Sequence, residues 1–287
     1  LVLKSTGSNY LVKRNDSGES INCKLKGNFR IKNLKTTNPI TVGDHVLFDI
    51  PEHSDAGLIS EILERKNCII RKATNLSKVS HLIAANIDRA YLIVSLKNPK
   101  IPLGFIDRYL VTAESYQIPV TIVFNKIDIY DETAIEQYAE YRAIYETIGY
   151  DCIDVSALKG HHLNELKNKM SDTINLFSGQ SGVGKSSLIN ALSNFTIKTA
   201  EVSTYNEKGK HTTTFAEMYE IGNNAFIIDT PGMRDFGLID FTKEELALYF
   251  PEMKALLENC KFYNCTHVHE PGCAVRTALE AGDIFES

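Results

Sequence analysis

The segment from Gly179 to Ser186 constrains the fold of this chain more than any other. It reads GQSGVGKS, which fits the pattern G-x-x-x-x-G-K-[ST], and it lies between the strand-like INLF and the helix-like SLINAL. This is the context of a phosphate-binding loop, because glycines let backbone N–H groups close around phosphates and the following helix N-terminus adds partial positive charge. The segment therefore predicts an α/β nucleotide-binding domain.

Individual roles follow from this loop. We expect Lys185 to reach the terminal phosphates and to assist catalysis, and the Ser186 hydroxyl to bind Mg²⁺. The remaining predicted nucleotide contacts in this loop are Gly179, Gln180, Ser181, Gly182, Val183, Gly184 and Ser187.

Three regions differ in their hydrophobic pattern. Residues 1–70 contain short alternating stretches separated by turn-rich segments, which predicts a small β-barrel. Residues 71–239 alternate continuous apolar runs with amphipathic helical stretches, which predicts a doubly wound parallel sheet. Residues 240–287 are helical, acidic and rich in Cys and His near their end. We expect these ranges to be three domains.

Composition limits the classes of partner and compartment. No apolar run approaches the ~20 residues that span a bilayer, so we expect no membrane contact. Six cysteines without a secretory leader favour the reducing cytoplasm. The net charge of −5 argues against a uniformly basic nucleic-acid binder, but lysines and arginines outnumber carboxylates before residue 36. That basic barrel is either an ordinary solvated surface or an RNA-binding face that includes Tyr10 and Phe29.

A carboxylate and a polar loop follow the phosphate loop. Asp229 ends the buried strand AFIID and is followed by Thr-Pro-Gly, so Asp229 and Gly232 are expected at the Mg²⁺ and the γ-phosphate. In the polar segment NEKGKHTTTF, we favour Thr213 over Thr214 as a further Mg²⁺ ligand. Met233 replaces the glutamine that often orients the attacking water, so intrinsic hydrolysis should be slow. His211 is the nearest candidate for that role, and an exposed loop histidine is the alternative interpretation.

A guanine-recognition motif occurs early in the chain. FNKID follows a buried strand, and it offers Asp128 to the guanine N1–H and 2-amino groups, Asn125 to the N7/O6 edge and the Lys126 stem to the ring face. After the next strand, Ser156 and Ala157 match the short loop whose backbone N–H contacts guanine O6. These parts precede the phosphate loop, which is the reverse of the usual order. Circular permutation, in which the original termini of a GTPase domain are joined and new termini are created elsewhere, would produce this order.

A group of metal-ligating residues lies near the C-terminus. Cys260, Cys265, His267 and Cys273 follow the spacing C-x4-C-x-H-x5-C. Three thiolates and one imidazole form a closed tetrahedral set, which predicts one structural Zn²⁺ without a catalytic position. His269 is a nearby spare, and only one of the two histidines is expected to bind the metal.

The motifs in this order resemble the circularly permuted, ribosome small-subunit-dependent GTPase family (RsgA, also called YjeQ). The resemblance extends over the whole chain, and it is carried by FNKID, VSALKG, GQSGVGKSSLINAL, GKHTTT, DTPGMRDFGL and CTHVHEPGCAV. It implies an N-terminal OB-fold β-barrel, a central circularly permuted P-loop GTPase domain and a C-terminal helical zinc-binding domain. A hydrophobic residue at Met233 and a histidine at His211 are features of this family. The C-terminal tail is shorter than the resemblance implies, so we expect the sequence to be a piece of a longer protein.

The resemblance implies a cytoplasmic GTPase that acts late in small-subunit maturation and converts GTP to GDP. Its expected cofactors are GTP/GDP, Mg²⁺ and Zn²⁺, and its expected partners are the small ribosomal subunit and its rRNA. We expect a monomer. Two alternatives stay open: a GTP-dependent RNA-binding scaffold with negligible hydrolysis, and an ATP-using P-loop enzyme.

Overall fold

The five N-terminal strands pack around a small core of their own. This computed structural model describes residues 1–27, 38–52, 54–71, 81–193, 216–229 and 241–286. The first strands are β1 (Val2–Ser5), β2 (Tyr10–Lys13), β3 (Ser20–Leu25), β4 (Val46–Asp49) and β5 (Gly57–Ile62). They are arranged in the order β1-β2-β3-β5-β4, with only the β3–β5 pair parallel. Their shared core consists of Val2, Tyr10, Val12, Cys23, Ile40 and Ile59.

Tyr10 does not lie on an exposed aromatic face, so this part of the RNA-binding interpretation is wrong. Its side chain is fully buried, and its hydroxyl donates to Oδ1 of Asn38 at 2.7 Å. A ring that fills the barrel core cannot stack on a nucleobase. Phe29 lies outside the described residues.

A two-stranded hairpin separates the barrel from the α/β region. It pairs β6 (Cys68–Arg71) with β7 (His81–Ala85) in an antiparallel sheet. Ile69 and Ala84 are buried in the core of the α/β region rather than in that of the barrel. The hairpin therefore extends across the boundary that we expected at residue 70.

The α/β region alternates strands and helices as the hydrophobic pattern predicts. Its elements are β8 (Arg89–Val94), α1 (Leu103–Ser115), β9 (Val120–Asn125), α2 (Glu132–Ile148), β10 (Asp151–Val155), α3 (Leu163–Lys169), β11 (Ile174–Ser178), α4 (Lys185–Leu192), β12 (Glu217–Gly222) and β13 (Ala225–Asp229). Every residue of β9 and β11 is buried, which explains their continuous apolar sequences.

Five of these strands are parallel, so their carboxyl ends share one edge. The order is β10-β9-β8-β11-β13, and β12 is added antiparallel to β13. β12 also pairs with β1, and Lys4 forms an ion pair with Glu217 across that junction. Ligands bind at the carboxyl edge of open α/β sheets, and the predicted nucleotide residues follow these strand ends.

The C-terminal region is small and helical. It contains α5 (Lys243–Leu246), α6 (Pro251–Lys254) and α7 (Ala274–Ala281). Cys265, Cys273 and Val275 form its buried cluster, against which Met253, Leu256, Cys260 and Ile284 pack. No helix among the described residues is long and apolar enough to cross a membrane.

Candidate guanine nucleotide site and Cys/His cluster

The phosphate loop connects β11 to the N-terminus of α4. Gly184 precedes the helix in the left-handed conformation with φ of 96°, and Gly179 has φ of 144°. A side chain at Gly179 would overlap the Ile93 carbonyl oxygen, because an added Cβ would lie 2.2 Å from it. The Lys185 ammonium donates to the carbonyl oxygens of Gly179 at 2.5 Å and Gln180 at 2.9 Å. The loop thus curls around the lysine at the positive end of the helix.

Asn125 joins the base motif to the phosphate loop. Its side chain is 1% exposed, so both of its amide atoms need partners. Nδ2 donates to the Val183 carbonyl oxygen at 2.9 Å, and Oδ1 accepts from the Ala157 backbone N–H at 3.2 Å. One side chain therefore connects three segments that are far apart in the sequence.

Lys126 makes a second link between the same two motifs. It has a left-handed backbone with φ of 68°, which directs it away from the end of β9. Its ammonium donates to the carbonyl oxygens of Asn98 at 2.5 Å and Gly182 at 2.6 Å. The aliphatic stem then lies beside the cavity in which we expect the base.

A cavity of about 380 Å³ lies between the base motif and the phosphate loop. Its lining residues are Asn125, Lys126, Asp128, Ile129, Ala157, Leu158, Gly184 and Ser187. Oδ1 of Asp128 accepts from the Ser156 hydroxyl at 2.5 Å, and Asp128 is exposed while Ser156 is buried. Ser156 thus orients the carboxylate, and the volume falls within the range of small-molecule sites.

Asp229 lies at the end of β13, next to the parallel strand that leads into the phosphate loop. Burial raises the pKa of its carboxyl, and the nearby charge of Lys185 partly opposes this rise. Ser186 is the second residue of α4, and it is half-buried. A hydroxyl and a carboxylate are oxygen ligands of the kind that Mg²⁺ prefers, so these residues fit the expected ion.

Other predicted site residues cannot be located. His211, Thr213, Thr214, Gly232 and Met233 lie outside the described residues.

Two contributors to the site were not predicted. Tyr130 donates its hydroxyl to the Asn125 carbonyl oxygen at 3.1 Å and accepts from the Leu96 N–H at 3.0 Å, so it fixes the end of β9 against the end of β8. Leu158 is 80% exposed and lines the cavity, where it can cover an apolar ring face. The available sequence signal for Leu158 was its position directly after the Ser-Ala pair.

The four metal-ligating residues near the C-terminus lie together. The ligand atoms of Cys260, Cys265, His267 and Cys273 are all within 4.8 Å of one another. Nδ1 of His267 lies 3.3 Å from Sγ of Cys273 and 3.7 Å from Sγ of Cys260. His269 is exposed and outside this group. Three thiols and one imidazole suit tetrahedral Zn²⁺. Two of the thiols are buried at the centre of this small region, so a bound ion would supply folding free energy that its small hydrophobic cluster lacks.

Comparisons with known proteins agree with this arrangement. The family model described as RsgA GTPase matches residues 62–239, and the RsgA N-terminal domain model matches residues 1–59. A small ribosomal subunit biogenesis GTPase RsgA of Bacteroides fragilis is 49% identical over all of this chain and 92% of its own length. The protein of that name from Phocaeicola vulgatus is 51% identical with the same coverage.

Two solved structures share the architecture. YjeQ from Thermotoga maritima aligns over 100% of this chain and 92% of its own, with a TM-score of 0.80 and 34% identity. The circularly permuted GTPase YloQ aligns over 99% and 88%, with a TM-score of 0.74 and 28% identity. The predicted fold class and the family resemblance are confirmed.

Proposed function

The chain belongs to the RsgA GTPase family and is a GTP hydrolase, and from this premise we propose that it acts in the biogenesis of the small ribosomal subunit. The relatives from Bacteroides fragilis and Phocaeicola vulgatus carry that activity in their names. We further propose that the small ribosomal subunit stimulates hydrolysis, that this subunit and its rRNA are the partners, and that the protein works in the cytoplasm as a monomer.

The observation that carries this proposal is the contact of Asn125 with Val183 and Ala157. The three residues belong to the base motif, the phosphate loop and the base loop, and hydrogen bonds of 2.9 and 3.2 Å connect them. A chance Asn-Lys-x-Asp would have no reason to contact a phosphate loop that follows it by more than fifty positions. The rotated order of motifs therefore supports a single nucleotide site.

In this site Asp128 selects guanine. Its carboxylate would accept from the guanine N1–H and 2-amino group, while adenine offers no such pair of donors and would leave the carboxylate unpaired. Ser156 holds the carboxylate through the 2.5 Å hydrogen bond. Lys126 and Leu158 would cover the two faces of the ring, and the Ala157 N–H would turn from Asn125 towards guanine O6.

The phosphates would lie over the loop from Gly179 to Ser187, at the N-terminus of α4. Lys185 would exchange its bonds to the Gly179 and Gln180 carbonyl oxygens for phosphate oxygens. Ser186, Asp229 and Thr213 would hold Mg²⁺, which supplies charge neutralisation between the phosphates when it is bound. We assign the water-orienting role to His211, since Met233 follows Gly232 in place of a glutamine.

We propose the domain ranges 1–70, 71–239 and 240–287 for the OB-fold barrel, the permuted GTPase and the zinc-binding region, with Ile69 packing across the first boundary into the GTPase core. One structural Zn²⁺ would bind Cys260, Cys265, His267 and Cys273. Lys13 and Lys4 are bound to Glu220 and Glu217 of β12, so the barrel is attached to the GTPase sheet by ion pairs. Through this attachment, a conformational change at the nucleotide would be transmitted to the barrel and to RNA bound there.

The test is GTP turnover with purified small subunits, with large subunits as the matched control. We expect slow turnover alone, a strong increase with small subunits and no increase with large subunits. Equal turnover in all three conditions, together with GTP-dependent binding to small subunits, would contradict this proposal and favour the RNA-binding scaffold.

A further inference from the structure

A second group of metal-ligating side chains lies outside the nucleotide site and the Cys/His cluster. Asp154 is in β10, and His161 and His162 immediately precede α3. Nε2 of His161 lies 3.4 Å from Oδ2 of Asp154, and Nδ1 of His162 lies 3.2 Å from the same oxygen. Two imidazoles thus converge on one carboxylate oxygen.

These separations are those of ligands of one ion. Zn²⁺ binds imidazole nitrogen and carboxylate oxygen at about 2.0–2.1 Å, so two ligand atoms at tetrahedral corners lie about 3.4 Å apart. The two nitrogen–oxygen distances of 3.4 and 3.2 Å agree with this value. Both imidazoles face one ion only if their ring centroids, which are 3.7 Å apart, separate by roughly 1 Å, because Zn–N bonds of this length at 90° or more place the centroids at least about 4.5 Å apart.

Neighbouring side chains orient Asp154 towards the histidines. The Tyr138 hydroxyl donates to Oδ1 of Asp154 at 2.9 Å, which leaves Oδ2 to the two imidazoles. The Arg142 guanidinium lies 3.8 Å from Oδ1 of Asp154, and it also forms an ion pair with Glu146 at 2.8 Å. Hydrogen-bonded carboxylates of this kind are the usual support around metal ligands.

Packing does not account for the two histidines. Their side chains are 47% and 42% exposed, so no apolar core holds them. His162 nevertheless has a left-handed backbone with φ of 52°, which non-glycine residues disfavour, and its ring centroid lies 3.7 Å from that of His161. The strained turn brings two imidazoles to one carboxylate, and a shared cation would stabilise this arrangement beyond the contacts that the rings make with Asp154.

We propose that Asp154, His161 and His162 bind a divalent transition-metal ion of the Zn²⁺ class, with water completing the coordination. Nδ1 of His162 also lies 2.9 Å from the Asp154 carbonyl oxygen, so metal binding at Nδ1 requires the neutral ring to carry its proton on Nε2 and gives up the hydrogen bond to that carbonyl. The exposed ligands leave the site open to exchange, so it binds its metal more weakly than the closed Cys/His set.

The ion would close the loop that carries the base contacts. The Ser156 N–H donates to the His161 carbonyl oxygen at 3.3 Å, and Ala157 and Leu158 between them line the cavity. A metal that joins Asp154 to the two histidines fastens both ends of this loop. This consequence rests on the proposed nucleotide site, whereas metal binding itself does not.

The test is a Zn²⁺ titration of the full chain, against a chromophoric chelator, after the Cys/His set has been filled. His162→Asn removes the ligand but keeps a residue that tolerates the left-handed turn, Asp154→Asn removes the charge, and His269→Ala is the control for loss of an exposed imidazole outside the site. We expect wild type and His269→Ala to bind one further equivalent of Zn²⁺ and the other two variants to bind none. Thermal unfolding should show all four proteins folded.

Imidazole ¹⁵N shifts give a direct readout of coordination. Added Zn²⁺ should move the ring nitrogens of His161 and His162 and leave those of His269 unchanged. Uptake by His162→Asn and Asp154→Asn equal to that of wild type, or no further uptake by wild type, would overturn the proposal.

The rate of release of a fluorescent GDP analogue tests the link to the base loop. We expect Zn²⁺ to slow release several-fold in wild type and to have no effect on His162→Asn. An unchanged rate in wild type would overturn this link, and failure of the analogue to bind without Zn²⁺ would instead count against the nucleotide site.

Discussion

Replacing Gly184 by alanine would add a methyl group at the contact between the phosphate loop and the base motif. An added Cβ would lie 2.4 Å from Nδ2 of Asn125 and 3.7 Å from the Lys126 side chain. Relief of this overlap requires the Asn125 amide to move, which disturbs its 2.9 Å hydrogen bond to the Val183 carbonyl oxygen. The same movement displaces the amide that we expect at the guanine N7/O6 edge.

The magnitude follows from two contributions. A left-handed backbone costs a non-glycine residue about 1–2 kcal/mol, and an extra methyl in a packed region adds about 1–3 kcal/mol. Gly160 is a matched control in the base loop, because it has φ of 76° and nothing within 4 Å of an added Cβ. Gly160→Ala should therefore show the first cost alone, so Gly184→Ala should be less stable than Gly160→Ala by about 1–3 kcal/mol. Displacement of Asn125 also removes one hydrogen bond to guanine, worth about 0.5–1.5 kcal/mol, which corresponds to a loss of about 2- to 13-fold in GDP affinity.

The assay is calorimetric titration of GDP into both variants, with thermal unfolding measured in parallel. Gly184→Ala should bind GDP more weakly than Gly160→Ala by this factor. Adding Asn125→Ala to Gly184→Ala should recover part of the stability, since the overlap is removed, but none of the affinity. Equal affinities for the two single variants would refute the close contact between the phosphate loop and the base motif.

Three further changes test other parts of the site. Lys126→Met keeps the stem but loses the hydrogen bonds to Asn98 and Gly182, so GDP affinity should fall by roughly tenfold in the same titration, and unchanged affinity would count against the link. Cys273→Ser should lose the structural Zn²⁺ measured by metal analysis and unfold at lower temperature, while Cys152→Ser keeps its metal; equal metal contents would exclude the Cys/His site. His211→Ala should keep its GDP affinity and lose subunit-stimulated turnover, and full stimulation would remove His211 from the mechanism.

The sequence was most informative where one local rule determines the structure. Buried parallel strands need continuous apolar residues, so the runs that became β8 and β9 were predicted correctly. The phosphate loop was equally clear, because the glycines at 179 and 184 adopt backbone conformations that other residues disfavour. Both features depend on short stretches of chain and on little else.

Features that depend on distant contacts were missed or misjudged. Tyr10 lies in the stretch SNYLVK of a basic barrel, and only the tertiary structure shows that its ring fills the core. The β6–β7 hairpin belongs to the α/β core although it begins within the barrel range. Asp154 and the His161–His162 pair are separated by a loop, and their convergence depends on where α3 begins. The sequence shows which side chains can bind a metal, whereas tertiary packing determines which of them come together.

The most direct test of a single guanine site is the nucleotide preference of Asp128→Asn. Xanthine carries a carbonyl where guanine carries its 2-amino group, so Nδ2–H of an asparagine can donate to xanthine. Opposite guanine the same Nδ2–H faces the 2-amino group, another donor, and only Oδ1 can still accept. Loss of two charged hydrogen bonds of about 1.5–3 kcal/mol each should weaken GTP binding by roughly 10²- to 10⁴-fold. Asp151→Asn is the matched control, because Asp151 is the first residue of β10 and the base loop follows the other end of that strand. This variant should still prefer GTP. We predict that Asp128→Asn prefers XTP over GTP in competition, and an undiminished preference for GTP would contradict the account.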